Sequence, residues 1–330
     1  MKIIFFNLSV MNSYYNMYIK LSVSFLFVFF LTFAGLTASV PAAEGVQASE
    51  LKLATFDLDV TPSKGHDLAY DPMLNSWDMG LRAKGIVLLG AGRPIVLVAI
   101  DWIGIHDECY DEFKRALAAA AGTTPEHVAV HTLHQHDAPR GDIKDDFVLA
   151  AIHRLEMAVV NSLKNTRTVT HIGLGKAEVH KVASNRRILD AKSNTVRTTR
   201  YTTCPDSSLR AEPEGVIDPI VSVISFWDKG EPIAVMSFYA THPQSYYRTG
   251  IPNPDFPGIA RFFRQLAVPD ALHIHFTGAG GNIGAGKYND GAKENRLILA
   301  ERLADGIKKA WESTDLQPVS TNAIHWGVRP

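Results

Sequence analysis

The chain has 330 residues, of which 46% are hydrophobic and 20% are charged, an ordinary composition for a globular protein that can bury a sizeable core. The formal net charge is -1, from 33 basic and 34 acidic residues, and no basic stripe is evident, so we expect no nucleic-acid partner. The only two cysteines, Cys109 and Cys204, exclude a disulfide scaffold, although an exported protein could join them.

The N-terminal segment has the layout of a secretory signal peptide. An uncharged apolar run over residues 21–36 follows Lys20, and a small-x-Ala pattern for signal peptidase ends at Ala42. The run is shorter than the roughly 20 residues that a membrane span needs, although an N-terminal membrane anchor is the alternative. The sequence therefore predicts a signal peptide over residues 1–43 and export of residues 44–330, to the periplasm or the medium.

Hydrophobic patterns predict strands that alternate with helices along the remaining chain. We expect strands at residues 51–60, 86–89, 95–100, 127–132, 169–179, 220–227, 233–240 and 272–276, and helices at 107–121, 145–165, 256–266 and 292–312. This alternation favours the α/β class, a mixed β-sheet with helices packed on it, in a single large catalytic-type domain. The polar stretch 190–217 predicts a long loop, and a last strand is expected from Asn322 onward.

A group of histidines follows the predicted strand 127–132. His134 and His136 would lie on one face of an extended chain, because side chains repeat every two residues in a strand. Two imidazoles on one face suit a transition metal, or one metal ligand beside one proton-transfer group. Taken alone, the pair also fits a polar turn with surface histidines.

Three further segments carry candidate functional groups. His242 comes at the end of the predicted strand 233–240, and Pro243 stops regular pairing there. Arg186 follows Asn185 in a polar stretch, where a guanidinium can bind a carboxylate or an oxyanion.

The third segment is a glycine-rich loop at residues 278–286 that follows a strand. It lacks the pattern of a phosphate-binding or dinucleotide-binding loop. Its backbone amides could instead stabilise an oxyanion. The alternative is a flexible connector.

The order of these segments resembles the neutral/alkaline non-lysosomal ceramidase family, from about residue 50 to the end of the chain. No single motif is specific, but the ordered set is. The matching segments are Asp59-Val60-Thr61-Pro62, Arg82-Ala83, the strand ending at Asp101, His134-Gln135-His136-Asp137-Ala138-Pro139, Asn185-Arg186, Asp218-Pro219-Ile220-Val221-Ser222-Val223, Thr241-His242-Pro243, Asp255-Phe256-Pro257-Gly258 and Gly281-Asn282-Ile283.

The resemblance implies a zinc-dependent amidohydrolase that cleaves the amide bond of ceramide or a related N-acyl compound. Carried over by position, His134 and His242 would bind zinc, and His136 would be the adjacent proton-transfer group. The lipid-like substrate makes contact with a membrane surface a further expectation, and the oligomeric state stays open.

The resemblance also assigns the residues around the substrate. Arg186 and Asn282 would act at the reacting group, and Asn185 and Gly281 would contact the substrate. Gly284 stands where the family carries a catalytic serine, and Asn282 stands where it carries an aspartate.

The family's remaining zinc ligands, a glutamate and a tyrosine, come from a region beyond this chain, so we expect the chain to be C-terminally incomplete. A catalytic zinc usually has three protein ligands, which leaves a third place open to His136 or Asp255. Two alternatives therefore stay open: another metallohydrolase, an esterase or deacylase on the same scaffold, and an inactive ligand-binding remnant.

Overall fold

The computed structural model describes residues 50–76 and 78–328, so the predicted signal peptide lies outside the described residues. The helices of the described chain are α1 (Asp107–Ala121), α2 (Asp146–Ser162), α3 (Ser207–Ala211), α4 (Asp255–Ala267) and α5 (Asn295–Glu312), with short 3-10 turns at Pro125–His127, Leu163–Asn165, Gly286–Tyr288 and Thr321–Ala323. The strands are β1 (Lys52–Asp59), β2 (Arg82–Gly90), β3 (Gly92–Ile100), β4 (Gly104–Ile105), β5 (Val128–Thr132), β6 (Arg140–Gly141), β7 (Arg167–Thr168), β8 (His171–Glu178), β9 (Ser184–Asn185), β10 (Arg187–Leu189), β11 (Val196–Thr199), β12 (Ile220–Asp228), β13 (Glu231–Tyr239), β14 (Leu272–Thr277), β15 (Ile283–Gly284) and β16 (Asp315–Pro318).

Two five-stranded sheets form the centre of the fold. The first has the order β5-β3-β2-β1-β7, and the second has the order β14-β13-β12-β8-β16. Each sheet is mixed, because β3 pairs with β5 in parallel and β13 pairs with β14 in parallel, while their other neighbours are antiparallel. A loop follows the C-terminal end of β5, and a longer loop follows the C-terminal end of β13.

The two sheets face each other, and helices cover their outer faces. One apolar cluster lies between the sheets and includes Leu97 and Met236. A second cluster packs the first sheet against α1 and α2, and a third packs the second sheet against α4 and α5. At Gly175 in β8 a Cβ atom would lie 1.9 Å from the Ala310 carbonyl oxygen of α5, so only glycine permits this close approach.

The predicted α/β class with mixed strand pairing and covering helices is confirmed, although the strands divide into two sheets rather than one. Helix α1 has the predicted bounds. Asp145, predicted as the first residue of α2, is its N-cap and accepts a hydrogen bond from the backbone N–H of Phe147.

One predicted loop and one predicted strand were wrong. The stretch 190–217 contains β11 and α3, and the strand expected from Asn322 is absent from the described residues, where a 3-10 turn and irregular chain stand instead. Pairing of β11 with β10 compensates for the weak apolar pattern in the first case, since backbone hydrogen bonds do not depend on it.

The two cysteines are not joined, since Cys109 and Cys204 are both free and buried. Among the described residues, every helix is too short or too polar to cross a membrane.

Candidate metal centre

Three histidines from two loops converge at the ends of β5 and β13. His134 and His136 lie in the turn after β5, and His242 lies three residues beyond the end of β13. The backbone N–H of His134 donates to the Trp102 carbonyl, which ties the turn to the loop after β3. His134 has a φ of 67°, a left-handed conformation that is rare for a residue with a side chain and frequent at functional sites. A turn, and not the alternation of an extended strand, therefore brings His134 and His136 together.

The three imidazoles lie within reach of one ion. One ring nitrogen from each residue lies within 4.8 Å of the others, and the ring centroids are 4.8 to 4.9 Å apart. The Nε2 atoms of His136 and His242 are 3.4 Å apart. His134 Nδ1 donates to the Ile103 carbonyl oxygen at 2.7 Å, which leaves its Nε2 lone pair free. His242 Nδ1 lies 3.4 Å from the Gly280 carbonyl oxygen.

Burial keeps two of these imidazoles neutral. Desolvation, followed by the repulsion that a proton on His136 would meet from the His242 and His134 sites and from Arg186, lowers the pKa of His136 to about 3, and the backbone of Pro243 offsets part of the effect. Desolvation and then Arg186 and His134 lower the pKa of His242 to about 4. Neutral imidazoles carry the lone pair that a metal ligand needs.

Arg186 is an uncompensated cation beside the histidines. Its Nη2 donates to Thr202 Oγ1 and Gln244 Oε1, each at 3.3 Å, and its buried Nε has no hydrogen-bond partner among the described residues. No carboxylate of the described chain forms an ion pair with it. Burial lowers the pKa of the guanidinium, which nevertheless stays charged near neutral pH. It is therefore available to bind a negatively charged oxygen.

Asn185 and Asn282 are neighbours in the fold. Both line a neighbouring cavity of about 530 Å³ whose walls include none of the three histidines. The Asn185 side chain accepts from Arg187 N and donates to the Val216 carbonyl, which holds its own loop together. Gly281 is exposed, and a Cβ there would meet open space. The catalytic role of Asn282 and the substrate contacts of Asn185 and Gly281 stay predictions.

Gly284 connects this loop to the site. It is buried in β15, and a Cβ at this position would lie 3.2 Å from Arg186 Nε. The backbone N–H of Arg186 donates to the Asn282 carbonyl. The absence of a side chain at Gly284 thus leaves the space that the Arg186 guanidinium uses.

Two acidic residues of the motifs hold loops and do not join the cluster. Asp137 accepts hydrogen bonds from Arg248 N, Thr249 N and Thr249 Oγ1. Asp255 accepts from Ser245 N and pairs with Arg296 at 3.5 Å. Asp255 is absent from the group of potential metal ligands, so of the two candidates for the third ligand only His136 lies in place.

The sequence analysis did not identify Tyr70 and Tyr247, whose rings form an aromatic wall beside His136. Tyr70 lies parallel to the His136 ring at 5.9 Å, Tyr247 lies 5.4 Å from the same ring, and the two tyrosines are 5.0 Å apart. Tyr70 is 45% exposed and Tyr247 is 39% exposed, so both offer ring surface to a ligand. Exposed tyrosines in loops carry no periodic signal, and only the folded chain brings residue 70 next to residue 247.

The donor set fits a zinc ion. Three nitrogen ligands without a carboxylate are typical of zinc, copper and related transition metals rather than of magnesium or calcium. The Nδ1 of His134 donates to a backbone carbonyl, which is how metal-binding histidines are commonly oriented.

The comparisons with known proteins point to one enzyme group. No family model matches the sequence, and no curated protein matches it. Among solved structures, neutral ceramidase from Pseudomonas aeruginosa matches with a TM-score of 0.62 and 18% identity, covering 82% of this chain and 47% of that one. A ceramidase complexed with C2 matches with a TM-score of 0.60 and 16% identity, covering 82% and 46%. The chain therefore has the fold of the neutral ceramidases and spans about half the length of the solved structures that it matches.

Proposed function

We propose that the protein is a zinc-dependent hydrolase that cleaves the amide bond of ceramide or a related N-acyl compound. The convergence of three imidazoles beside the uncompensated Arg186 guanidinium carries this proposal. The shared fold with neutral ceramidases supports it.

The proposed roles follow from charge and position. His134 and His242 would hold the metal, which when bound polarises a carbonyl group and makes water a stronger nucleophile at neutral pH. Arg186 would donate hydrogen bonds to the carbonyl oxygen as negative charge develops there. Its free Nε and its two long hydrogen bonds at 3.3 Å leave donors for that oxygen.

The aromatic wall supports a partly apolar substrate. Tyr70 and Tyr247 expose ring faces next to His136, and Leu74 nearby is 59% exposed. Rings of this kind bury apolar groups of a ligand while their hydroxyls stay in contact with water. We propose that the acyl chain of a lipid-like substrate lies on this wall, which would bring the site close to a membrane surface.

A matched pair of substrates tests the proposal. The full chain, loaded with zinc, is incubated with a short-chain ceramide and with an ester of the same acyl group, and released fatty acid is measured. We expect amide turnover that falls at least about 100-fold in Arg186→Met, the loss typical for removal of one oxyanion donor. The exposed His153 on α2 provides the control, since His153→Ala should keep full activity.

The alternative functions correspond to other results of the same assay. Turnover of the ester alone would favour an esterase or deacylase on this scaffold. Zinc binding without turnover of either compound would favour a ligand-binding protein, and both results would contradict amide hydrolysis.

We further propose that the protein is exported. The apolar run over residues 21–36 and the small-x-Ala pattern at Ala42 support cleavage there. N-terminal sequencing of the mature protein should begin close to Ala43. An intact Met1 on a protein that stays in the cytoplasm would contradict export, and an intact N-terminus in the membrane fraction would favour the anchor.

A further inference from the structure

We infer that Arg296 is a positioning residue, which fixes His242 and Tyr247 by holding the chain between them at Ser245. Arg296 lies on α5 and acts on the site through the backbone of that segment. The inference rests on the proposed function, because it requires a site that uses His242 and Tyr247. It assigns to a helix that covers the second sheet a part in setting the geometry of the site.

The segment from His242 to Tyr247 carries several groups of the site. It lies in the irregular chain between β13 and α4. His242 is one of the three converging imidazoles, and the Tyr247 ring lies 5.4 Å from the His136 ring. Between them, Gln244 Oε1 accepts from Arg186 Nη2 at 3.3 Å. A shift of this one segment would therefore displace all of these groups together.

Ser245, at the centre of the segment, is held at all three of its polar groups. Its backbone N–H donates to the Asp255 carboxylate at 3.0 Å, and its carbonyl accepts from Asn289 Nδ2 at 2.7 Å. Its Oγ accepts from Arg296 Nε at 2.8 Å. We call Asp255, Asn289 and Arg296 the Ser245 anchor. They are 3%, 0% and 5% exposed, and hydrogen bonds away from water are stronger than exposed ones, so the anchor fixes the segment firmly.

Arg296 connects the parts of the anchor. Its Nη2 donates to the Tyr246 carbonyl at 2.7 Å and lies 3.5 Å from the Asp255 carboxylate. The guanidinium carbon lies 3.5 Å from the centroid of the Tyr246 ring, a cation–π contact. A lysine would keep the charge but lose these directions, because a guanidinium is a planar fork of donors and an ammonium is a point charge. Arg296→Lys therefore removes the geometry of the anchor and keeps its charge.

The backbone of Asp255 supports a role in the site. Asp255 has a φ of 52°, a left-handed conformation that is uncommon for a residue with a side chain. Strain of this kind persists where the surrounding structure holds it in place, and it concentrates at functional sites. Here the N–H of Asp255 donates to Asn253 Oδ1 at 2.7 Å, and the carboxylate meets the N–H of Ser245. The strained residue thus directs its carboxylate to the segment that carries His242.

A matched pair of arginines separates positioning from stability. Arg261 of α4 also forms a buried ion pair, but with Asp101, which accepts from the N–H of Arg82 in β2 and so belongs to the first sheet. Arg296→Lys and Arg261→Lys should both lower stability in urea. Only Arg296→Lys should weaken zinc binding to the stripped full-length chain, by about 10-fold in calorimetry, the lower range for loss of a group that orients a metal ligand. It alone should also change the visible spectrum of bound Co(II).

Hydrogen exchange of the metal-free chain measures the segment directly. Arg296→Lys should speed exchange of the backbone amides of residues 242–248, because a segment that loses its hydrogen bonds opens locally. Arg261→Lys should leave the exchange of these amides unchanged relative to the rest of the chain.

A second pair keeps the test decisive if Arg296→Lys does not fold. Ser245→Ala removes only the Oγ that accepts from Arg296. Ser225→Ala in β12 is its control, since it removes a buried Oγ that accepts from Trp227 Nε1 at 2.8 Å. We expect Ser245→Ala alone to speed exchange of residues 242–248 and to weaken zinc binding by about threefold, the low end of what one hydrogen bond contributes.

The outcomes separate this inference from the proposed function. Equal losses of zinc affinity in Arg296→Lys and Arg261→Lys, or in the two serine variants, would reduce the anchor to a stabilising contact and overturn its positioning role. Faster exchange with wild-type zinc affinity and an unchanged cobalt spectrum would overturn it as well, while the metal site would stand. A wild-type chain that binds no zinc would overturn the proposed function and this inference together.

Discussion

Two polar regions of this molecule differ in whether their buried cationic groups have a carboxylate partner. Between the layers, Asp101 after β3 and Arg261 of α4 form a two-point ion pair with hydrogen bonds of 2.9 and 2.7 Å. The side chains are 0% and 4% exposed. In the histidine cluster, His136, His242 and Arg186 have no carboxylate partner among the described residues.

The difference shows which region maintains the fold and which is available to a ligand. Asp101 also accepts from Arg82 N, so the pair connects the first sheet to the helix that covers the second. A buried charge without a partner is costly. Burial keeps His136 and His242 neutral, so in this region the cost falls on Arg186 alone. We therefore expect loss of the pair to affect stability and loss of the cluster to affect binding.

Removal of one member of the ion pair should have the largest effect. Asp101→Ala leaves the Arg261 guanidinium buried and unpaired, which costs about 3–5 kcal/mol in comparable cases. Urea unfolding of the metal-free protein measures the change. The double variant Asp101→Leu/Arg261→Met should recover most of it, since apolar side chains of similar volume replace such pairs at little cost. A loss below about 1 kcal/mol in Asp101→Ala would mean that the pair does not connect the layers.

Zinc should provide the next largest contribution. An ion that binds only the folded chain stabilises it by about 2.7 kcal/mol when its free concentration is 100 times the dissociation constant. We expect a chelator to remove this increment from the wild type and from Asp101→Ala alike. In His242→Ala the chelator should change nothing. If the chelator lowered the stability of His242→Ala as much as that of the wild type, the stabilising ion would have to bind elsewhere.

The histidines between the sheets should make stability depend on pH. Full burial, with Arg261 and His131 nearby, lowers the pKa of His275 to about 3, and its Nδ1 lies 2.9 Å from Ser237 Oγ. Below its unfolded pKa of about 6.5 the unfolded chain takes up a proton that the folded chain does not. The contribution of His275 is therefore complete above about pH 6.5 and falls by about 1.4 kcal/mol per pH unit as the pH drops towards 3.

His275→Asn tests this dependence, because the amide can keep a hydrogen bond to Ser237 while removing the titration. Urea unfolding should show a slope that is shallower by up to about 1.4 kcal/mol per pH unit between pH 4.5 and about 6, with no change between about pH 6.5 and 7.5. His153→Asn on the surface of α2 should leave the slope unchanged. An unaltered slope in His275→Asn would show that this histidine does not titrate as its burial requires.

The smallest effect concerns the space beside Arg186. A methyl group at residue 284 would lie 3.2 Å from Arg186 Nε, so the guanidinium must shift by a few tenths of an ångström. We expect Gly284→Ala to lower kcat/KM by about threefold, equivalent to about 0.6 kcal/mol, with unchanged zinc affinity. Gly327→Ala, where the added group meets open space far along the chain from the site residues, is the matched control. Equal effects of the two variants would show that Gly284 does not help to position Arg186.

Much of the fold could be predicted because its elements carry strong local patterns. Helix α1 at Asp107–Ala121 and the strand pair at Ile220–Asp228 and Glu231–Tyr239 have apolar periodicity or a clear turn, and these signals depend on near neighbours in the chain. The division of the strands into two sheets carries no such signal. A central strand has the same apolar pattern whichever sheet it joins.

The sequence by itself determined the α/β class, the order of the elements and the residue types of the site, since these depend on local patterns and on motif order. Only the tertiary structure decided that His136 and His242, more than 100 positions apart, face each other across 3.4 Å, and that Tyr70 and Tyr247 pack beside the His136 ring. It also decided that Asp255 holds a loop through Arg296 and takes no place beside the histidines. Such choices depend on how distant loops pack against one another, and no local preference of the chain encodes that packing.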